Sequence, residues 1–166
     1  LTRLLTNLLI ASAPSRVISL SSELHRSAKR GLDFTDLQFT SGWSAQKAYA
    51  ASKLATILMT VELDRRLADQ RVTARTVHPG VVATNFGQGP EGRWQMRAMM
   101  TALRPLLKKP AEGAAPIVLL ATESDEVLGQ GLYWSQARPK QPSEPAQDPR
   151  AAIALWEASE QLAGLG

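Results

Sequence analysis

Tyr49 and Lys53 stand four residues apart in the run Tyr49-Ala50-Ala51-Ser52-Lys53, which carries no proline or glycine. On a helix that spacing stacks two side chains on one face, so the phenol and the ammonium point the same way. An ammonium beside a phenol favours the phenolate. That makes a tyrosine a usable general acid/base, the group needed to move a proton on or off an oxygen as an alcohol and a carbonyl interconvert. A second hydroxyl source lies upstream in Ser21-Ser22, directly after Arg16-Val17-Ile18-Ser19-Leu20. Serine both donates and accepts hydrogen bonds, which suits an oxygen that changes between those two states. Further on, His78-Pro79-Gly80 follows a second apolar run. Each feature alone is ordinary: Tyr-x-x-x-Lys is a common helix spacing, paired serines satisfy backbone groups, and Pro-Gly ends strands. Their order gains meaning from the elements that carry them.

Residues 1–12 read as the tail of a helix with Leu1, Leu4, Leu5, Leu8 and Leu9 in an amphipathic pattern, stopped at Ala13-Pro14. No capping residue precedes Leu1, so the expectation is a chain that opens inside an element. Arg16 to Leu20 is a short β-branched run bounded by Pro14 and the serine pair, the pattern of a buried strand. Residues 23–42 are polar, contain Gly31 and Gly42, and read as a long loop, a length that is usually functional. From Ser44 to Gln70 the chain is helical, with Ala48, Ala51, Ala55 and Leu58 among its small or apolar positions and its charges gathered in Glu62-Leu63-Asp64-Arg65-Arg66. Val72 to Val77 is a second strand, closed by Pro79-Gly80.

Residues 88–110 predict a loop and a helix whose Trp94, Met96, Met99, Met100 and Leu103 form an apolar packing face. Pro110 suits the first turn of a helix running from Ala111 to Thr122, where its missing N–H costs nothing. Leu132-Tyr133-Trp134-Ser135 is a third strand, Pro139 to Pro149 is irregular, and a last helix runs from Arg150 to about Leu162. Alternating helices and strands imply right-handed crossovers and an α/β fold: a doubly wound parallel sheet with helices on both faces. Residues 1–166 read as one domain. Ligands in such sheets sit at the carboxyl ends of the strands, where Ser21-Ser22 and His78-Pro79-Gly80 both fall.

Composition narrows the alternatives. The 166 residues are 44% hydrophobic and 20% charged, ordinary for a globular domain. The net charge is +4, but Arg65-Arg66 is balanced by Glu62, Asp64 and Asp69, and Lys108-Lys109 is isolated. Both pairs read as solvated helix faces without the aromatic interleaving of a nucleic-acid surface, so no nucleic-acid partner is expected. There is no cysteine and only His25 and His78, which excludes thiolate chemistry and makes a metal site unexpected. The absence of cysteine is compatible with a reducing compartment, and a cytoplasmic location is expected. No apolar run approaches the roughly 20 residues of a membrane span. His78 reads as a packing residue at its turn, and His25, beside Arg26 in the long loop, is a weaker candidate for a substrate contact.

Taken together, Arg16 to Ser22, Tyr49 to Lys53 and His78-Pro79-Gly80-Val81-Val82-Ala83-Thr84 resemble the short-chain dehydrogenase/reductase family along nearly the whole chain. The wording of Lys53 to Leu58, Val77 to Val82 and Leu155 to Ser159 is similar to its retinol dehydrogenase branch. The resemblance implies a Rossmann-type fold of which this chain carries the C-terminal half. It implies an oxidoreductase using NAD or NADP on a small apolar alcohol or carbonyl substrate. Tyr49 is then the proton donor or acceptor, Lys53 tunes it and bonds the nicotinamide ribose, and both count among the cofactor-binding residues. Ser22 holds the substrate oxygen, with Ser21 as the competing assignment. Pro79, Gly80, Val82 and Thr84 line the nicotinamide, Thr84 near its carboxamide, and the segment after Thr84 covers the substrate.

The family's glycine-rich turn after its first strand, the residue that selects NAD or NADP, and its relay asparagine are all expected upstream of Leu1; Asn7 is not that asparagine. The Arg16–Leu20 strand is accordingly expected at an open sheet edge. Two copies are expected to pair through the helix over 44–70, whose small residues allow close approach. The alternative reading is a catalytically inactive fragment serving as a dimerisation or interaction module.

Overall fold

The computed structural model describes residues 1–82 and 107–165. Expectations for Thr84, Trp94, Met96, Met99, Met100 and Leu103 lie outside the described residues. Helix α1 (Thr2–Ala11) leads into strand β1 (Ser15–Leu20), a 3₁₀ turn (Glu23–Ser27) and an irregular stretch before helix α2 (Ala45–Leu67). A second 3₁₀ turn (Ala68–Gln70) precedes β2 (Val72–His78). After the undescribed residues come α3 (Pro110–Thr122), the single-turn α4 (Asp125–Leu128), β3 (Tyr133–Ser135), β4 (Arg138–Pro139), a 3₁₀ turn (Glu144–Gln147) and α5 (Pro149–Leu162).

The sheet order is β1-β2-β3-β4. β1, β2 and β3 are parallel, with Leu20 beside Val77 and Thr76 beside Tyr133, and β4 turns back antiparallel on β3. The three predicted strands therefore lie side by side and β1 is the edge, with Leu20 48% exposed. Alternating side chains divide the strands between two cores. Val17, Val72 and Ala74 pack with Leu63, Leu67 and Trp156 from α2 and α5. Ile18, Val77 and Trp134 pack with Leu120 and Leu128 from α3 and α4 on the opposite face. A third core joins Leu54, Ile57 and Leu58 of α2 to Tyr133, Ala152 and Leu155. Helices thus cover both faces, as the alternation predicts.

Two expectations are corrected. The stretch over 23–42 opens with a 3₁₀ turn capped by Ser22, and the irregular stretch after Pro139 hides another turn; α4 and β4 are likewise absent from the sequence pattern. All are five residues or fewer, too short for a periodic pattern to repeat. The charged end of α2 is not simply a solvated face: Glu62 is 1% exposed, clamped by Arg65 and Arg66 at 2.7 Å each, and the Arg66 guanidinium lies 4.6 Å from the Trp156 ring centre. Within the chain, α5 packs along the Leu54–Leu58 stretch of α2, the helix expected to pair between copies. Among the described residues no helix is long and apolar enough to cross a membrane.

Candidate active site

The first part of α2 is tied to the carboxyl end of β1 by two bonds at a single residue. The Ser21 hydroxyl donates to the Lys53 carbonyl at 2.8 Å, and Lys53 Nζ donates to the Leu20 carbonyl at 3.2 Å. Lys53 is thus held at both ends, its backbone by the strand's following residue and its ammonium by the strand's last. Four residues earlier, one helical turn away, the Tyr49 ring centre lies 5.5 Å from the same ammonium. The helical spacing and the strand end therefore converge on one rim of the sheet, the rim that parallel sheets use for ligands.

The two serines divide their work. Ser21 is 5% exposed and spends its proton on the Lys53 carbonyl. The Ser22 Oγ accepts from the Leu24 amide at 3.2 Å as the cap of the 3₁₀ turn, an arrangement that leaves its own proton for a further partner. That difference favours Ser22 over Ser21 as the hydroxyl for a substrate oxygen.

Beneath Ser22 lies a buried polar block. His25 is 0% exposed, with Nδ1 2.7 Å from the Ser22 carbonyl and Nε2 accepting from the Ser143 amide at 3.0 Å. Because an amide N–H can only donate, Nε2 is the bare nitrogen and Nδ1–H the donor. Burial pushes the His25 imidazole below its ordinary pKa, more than its bond to Ser22 pulls it up. The ring meets Tyr133 edge-on with centres 5.1 Å apart. The Tyr133 hydroxyl donates to Glu23 at 2.8 Å, and Arg26 and Lys140 reach the other Glu23 oxygen at 2.9 and 3.0 Å. Burial alone would raise the Glu23 carboxyl, but Lys140, Tyr133 and Arg26 together hold it at about 2. Burial, reinforced by Glu23, holds the Tyr133 phenol well above its ordinary range. The candidate substrate contact at His25 is thereby corrected: a ring sealed from solvent with both nitrogens on backbone groups has nothing to offer a substrate. His78 is half-buried and likewise pushed down by burial, in keeping with a packing role.

At the end of β2, Gly80 adopts φ +94°, open to glycine at little cost, and Lys108 packs so closely that an added Cβ would come within 3.2 Å of it. Lys108 Nζ in turn donates to Gln136 at 2.5 Å. Val82 pairs in a parallel bridge with Lys108, and its side chain presses on Gly113 so closely that a Cβ there would clash with it. The Val82 side chain is therefore engaged by α3. Pro79 and Gly80 stay on the rim, half-buried. Sequence reasoning named His25 but missed the contacts that join it with Glu23 and Tyr133 in one block. Nothing in one dimension joins Glu23 to Tyr133 or His25 to Ser143.

Known proteins resemble this chain in sequence and in fold. Residues 16–135, well over half the chain, match the family model described as Enoyl-(Acyl carrier protein) reductase. The chain belongs to the short-chain dehydrogenase/reductase family. Within it, this chain is 39% identical to Retinol dehydrogenase 13 of Homo sapiens over 98% of its own length and 51% of that protein. Retinol dehydrogenase 14 of Mus musculus is 35% identical over 99% and 49%, and Dehydrogenase/reductase SDR family member 13 of Bos taurus is 40% identical over 100% and 44%. A solved structure of an uncharacterized protein from Mycobacterium Paratuberculosis matches with TM-score 0.62 at 28% identity, covering 96% of this chain and 54% of that one. The chain spans about half the length of the curated relatives it matches. Its sheet is accordingly part of a Rossmann-type short-chain dehydrogenase/reductase fold.

Proposed function

We propose that this chain supplies the proton-transfer half of an NAD(P)-dependent oxidoreductase that interconverts an alcohol and a carbonyl on a small apolar substrate. The observation that carries the reading is the double anchoring of Lys53 to the end of β1, with Tyr49 one turn away. Tyr49 exchanges a proton with the substrate oxygen. Ser22 bonds the same oxygen in either state, since its hydroxyl donates or accepts as required. Lys53 places its ammonium beside the Tyr49 ring, at the site of that exchange.

The nicotinamide cofactor, when bound, supplies or accepts the hydride. The residues present fit its nicotinamide and ribose end: Lys53 offers a donor, and the glycine turn at Gly80 removes a side chain from the rim. Pro79 and Gly80 remain the contacts on that side, with Val82 contributing through its backbone. The family resemblance places the pyrophosphate-binding glycine-rich turn outside these 166 residues, so alone they should bind NAD(H) or NADP(H) more weakly than micromolar.

The names of the relatives, Retinol dehydrogenase 13 and 14, support an alcohol or carbonyl on an apolar molecule as substrate class. Tyr49→Phe in a chain carrying both halves is the test. Turnover should fall about 10²–10⁴-fold, the size of a lost general acid/base, with cofactor binding and thermal unfolding unchanged. Full turnover in that variant overturns the assignment. A homodimer through residues 44–70 belongs to the same reading, and must form on what α5 leaves open of α2; a monomeric mass in solution removes it.

A further inference from the structure

We infer that His25 is a positioning residue for Ser22: it fixes the rotation of the serine at the end of β1 and so aims the hydroxyl that meets the substrate oxygen. The inference rests on the proposed role of Ser22. The Ser22 carbonyl is held twice by the same residue, by the His25 backbone amide at 3.0 Å and by the imidazole Nδ1–H at 2.7 Å. The Ser22 side chain is held once more by the Leu24 amide. Carbonyl and hydroxyl of one residue are therefore both set within a single 3₁₀ turn. The ring itself cannot rotate, because Nε2 is bonded to the Ser143 amide and one edge abuts Tyr133, which is anchored in turn on Glu23. His25 is thus a rigid strut between the chain after β4 and the serine. A neutral, sealed imidazole that touches only backbone groups has no chemistry of its own here; its effect runs through Ser22.

The two ring nitrogens can be separated by substitution. The amide of asparagine falls where Nδ1 lies, so His25→Asn keeps a donor to the Ser22 carbonyl and loses Ser143. The amide of glutamine falls where Nε2 lies, so His25→Gln keeps Ser143 and loses Ser22. In a chain carrying both halves, His25→Gln should lower kcat about 10–100-fold, the scale of a displacement near 1 Å at a reacting group, with KM for the cofactor little changed. His25→Asn should recover most of that loss even where its thermal stability is no better than that of His25→Gln. In a Ser22→Ala background, His25→Gln should have no further effect on kcat. The inference is overturned if kcat follows thermal stability across the two variants, or if the losses from Ser22→Ala and His25→Gln multiply. If His25→Gln keeps full kcat while Ser22→Ala loses it, positioning by His25 is wrong and the role of Ser22 stands. If Ser22→Ala itself keeps full kcat, it is the proposed role of Ser22 that has failed, and the inference falls with it.

Discussion

The two halves of α2 are built on different terms. The first, through Lys53, is exposed or half-buried apart from Ala50, and is held by polar bonds to the strand end: Ser21 to the Lys53 carbonyl, Lys53 to the Leu20 carbonyl. The second, from Leu54 onward, sinks Leu54, Ile57, Leu58, Leu63 and Leu67 into two cores and seals Glu62 beneath two arginines. One continuous helix therefore carries the proposed reactive groups at one end and stability at the other. Rigidity is transmitted along the backbone hydrogen bonds rather than by burying the reacting side chains. A phenol and an ammonium that were fully buried could not meet a substrate; exposed and unanchored, they would lack a fixed geometry.

If this division holds, substitutions at the two ends should separate turnover from stability. The largest effect belongs to Lys53→Met, which keeps the apolar stem and removes the charge. Turnover should fall about 10²–10³-fold, on the scale of electrostatic stabilisation by a single placed group, while denaturant unfolding moves by less than about 1 kcal/mol. A large loss of stability would erase the contrast. Leu58→Ala is the converse: about 2–5 kcal/mol of stability lost in urea unfolding, as for other buried leucines, with kcat of the folded fraction retained. Glu62→Gln is milder, at about 1–3 kcal/mol, because it keeps the volume but leaves the two guanidinium groups without their carboxylate. Arg65 and Arg66 can turn to water, which limits the cost.

The smallest effect is a pH dependence that belongs to the rim. His25 and His78 have folded-state pKa values below their ordinary 6.5, so the unfolded chain takes up protons first. Their contribution to stability is present above about pH 6.5 and is lost as the solution is acidified below it. The Glu23 carboxyl, held at about 2 against an ordinary 4.5, contributes in the same direction across a lower window. Thermal unfolding followed from pH 7 to 3 should show a decline in two phases, and His25→Asn should flatten the first. A flat profile between pH 7 and 5 would show that burial of the imidazoles costs nothing in this fold.

Much of the fold is legible in the sequence, because the signals are periodic or terminal. Alanine and leucine at helical spacing give α2, β-branched runs closed by Ser21-Ser22 and Pro79-Gly80 give the strands, and Pro110 marks the start of α3. The pairing of Tyr49 with Lys53 is equally local, a matter of 3.6 residues per turn. The elements that escaped are those of one turn or two residues, α4 and β4, where no period can develop. Also hidden was the fate of Glu62, since a charge among charges at the end of a helix reads as solvated until a tryptophan from another helix closes over its arginine partner.

What the sequence alone determined is the pairing of Tyr49 with Lys53 on one helical turn, the order of strands and helices, and the strand end at which Ser21 and Ser22 fall, because each depends on neighbours a few residues apart. Only the tertiary structure decided which serine is spent on the helix and which keeps its proton, that α5 covers α2, and that His25 is sealed between the Ser22 carbonyl and the Ser143 amide. Those outcomes turn on hydrogen bonds and packing between residues 32 to 118 positions apart, and a chain read in one dimension holds no record of which distant groups folding will bring within 3 Å.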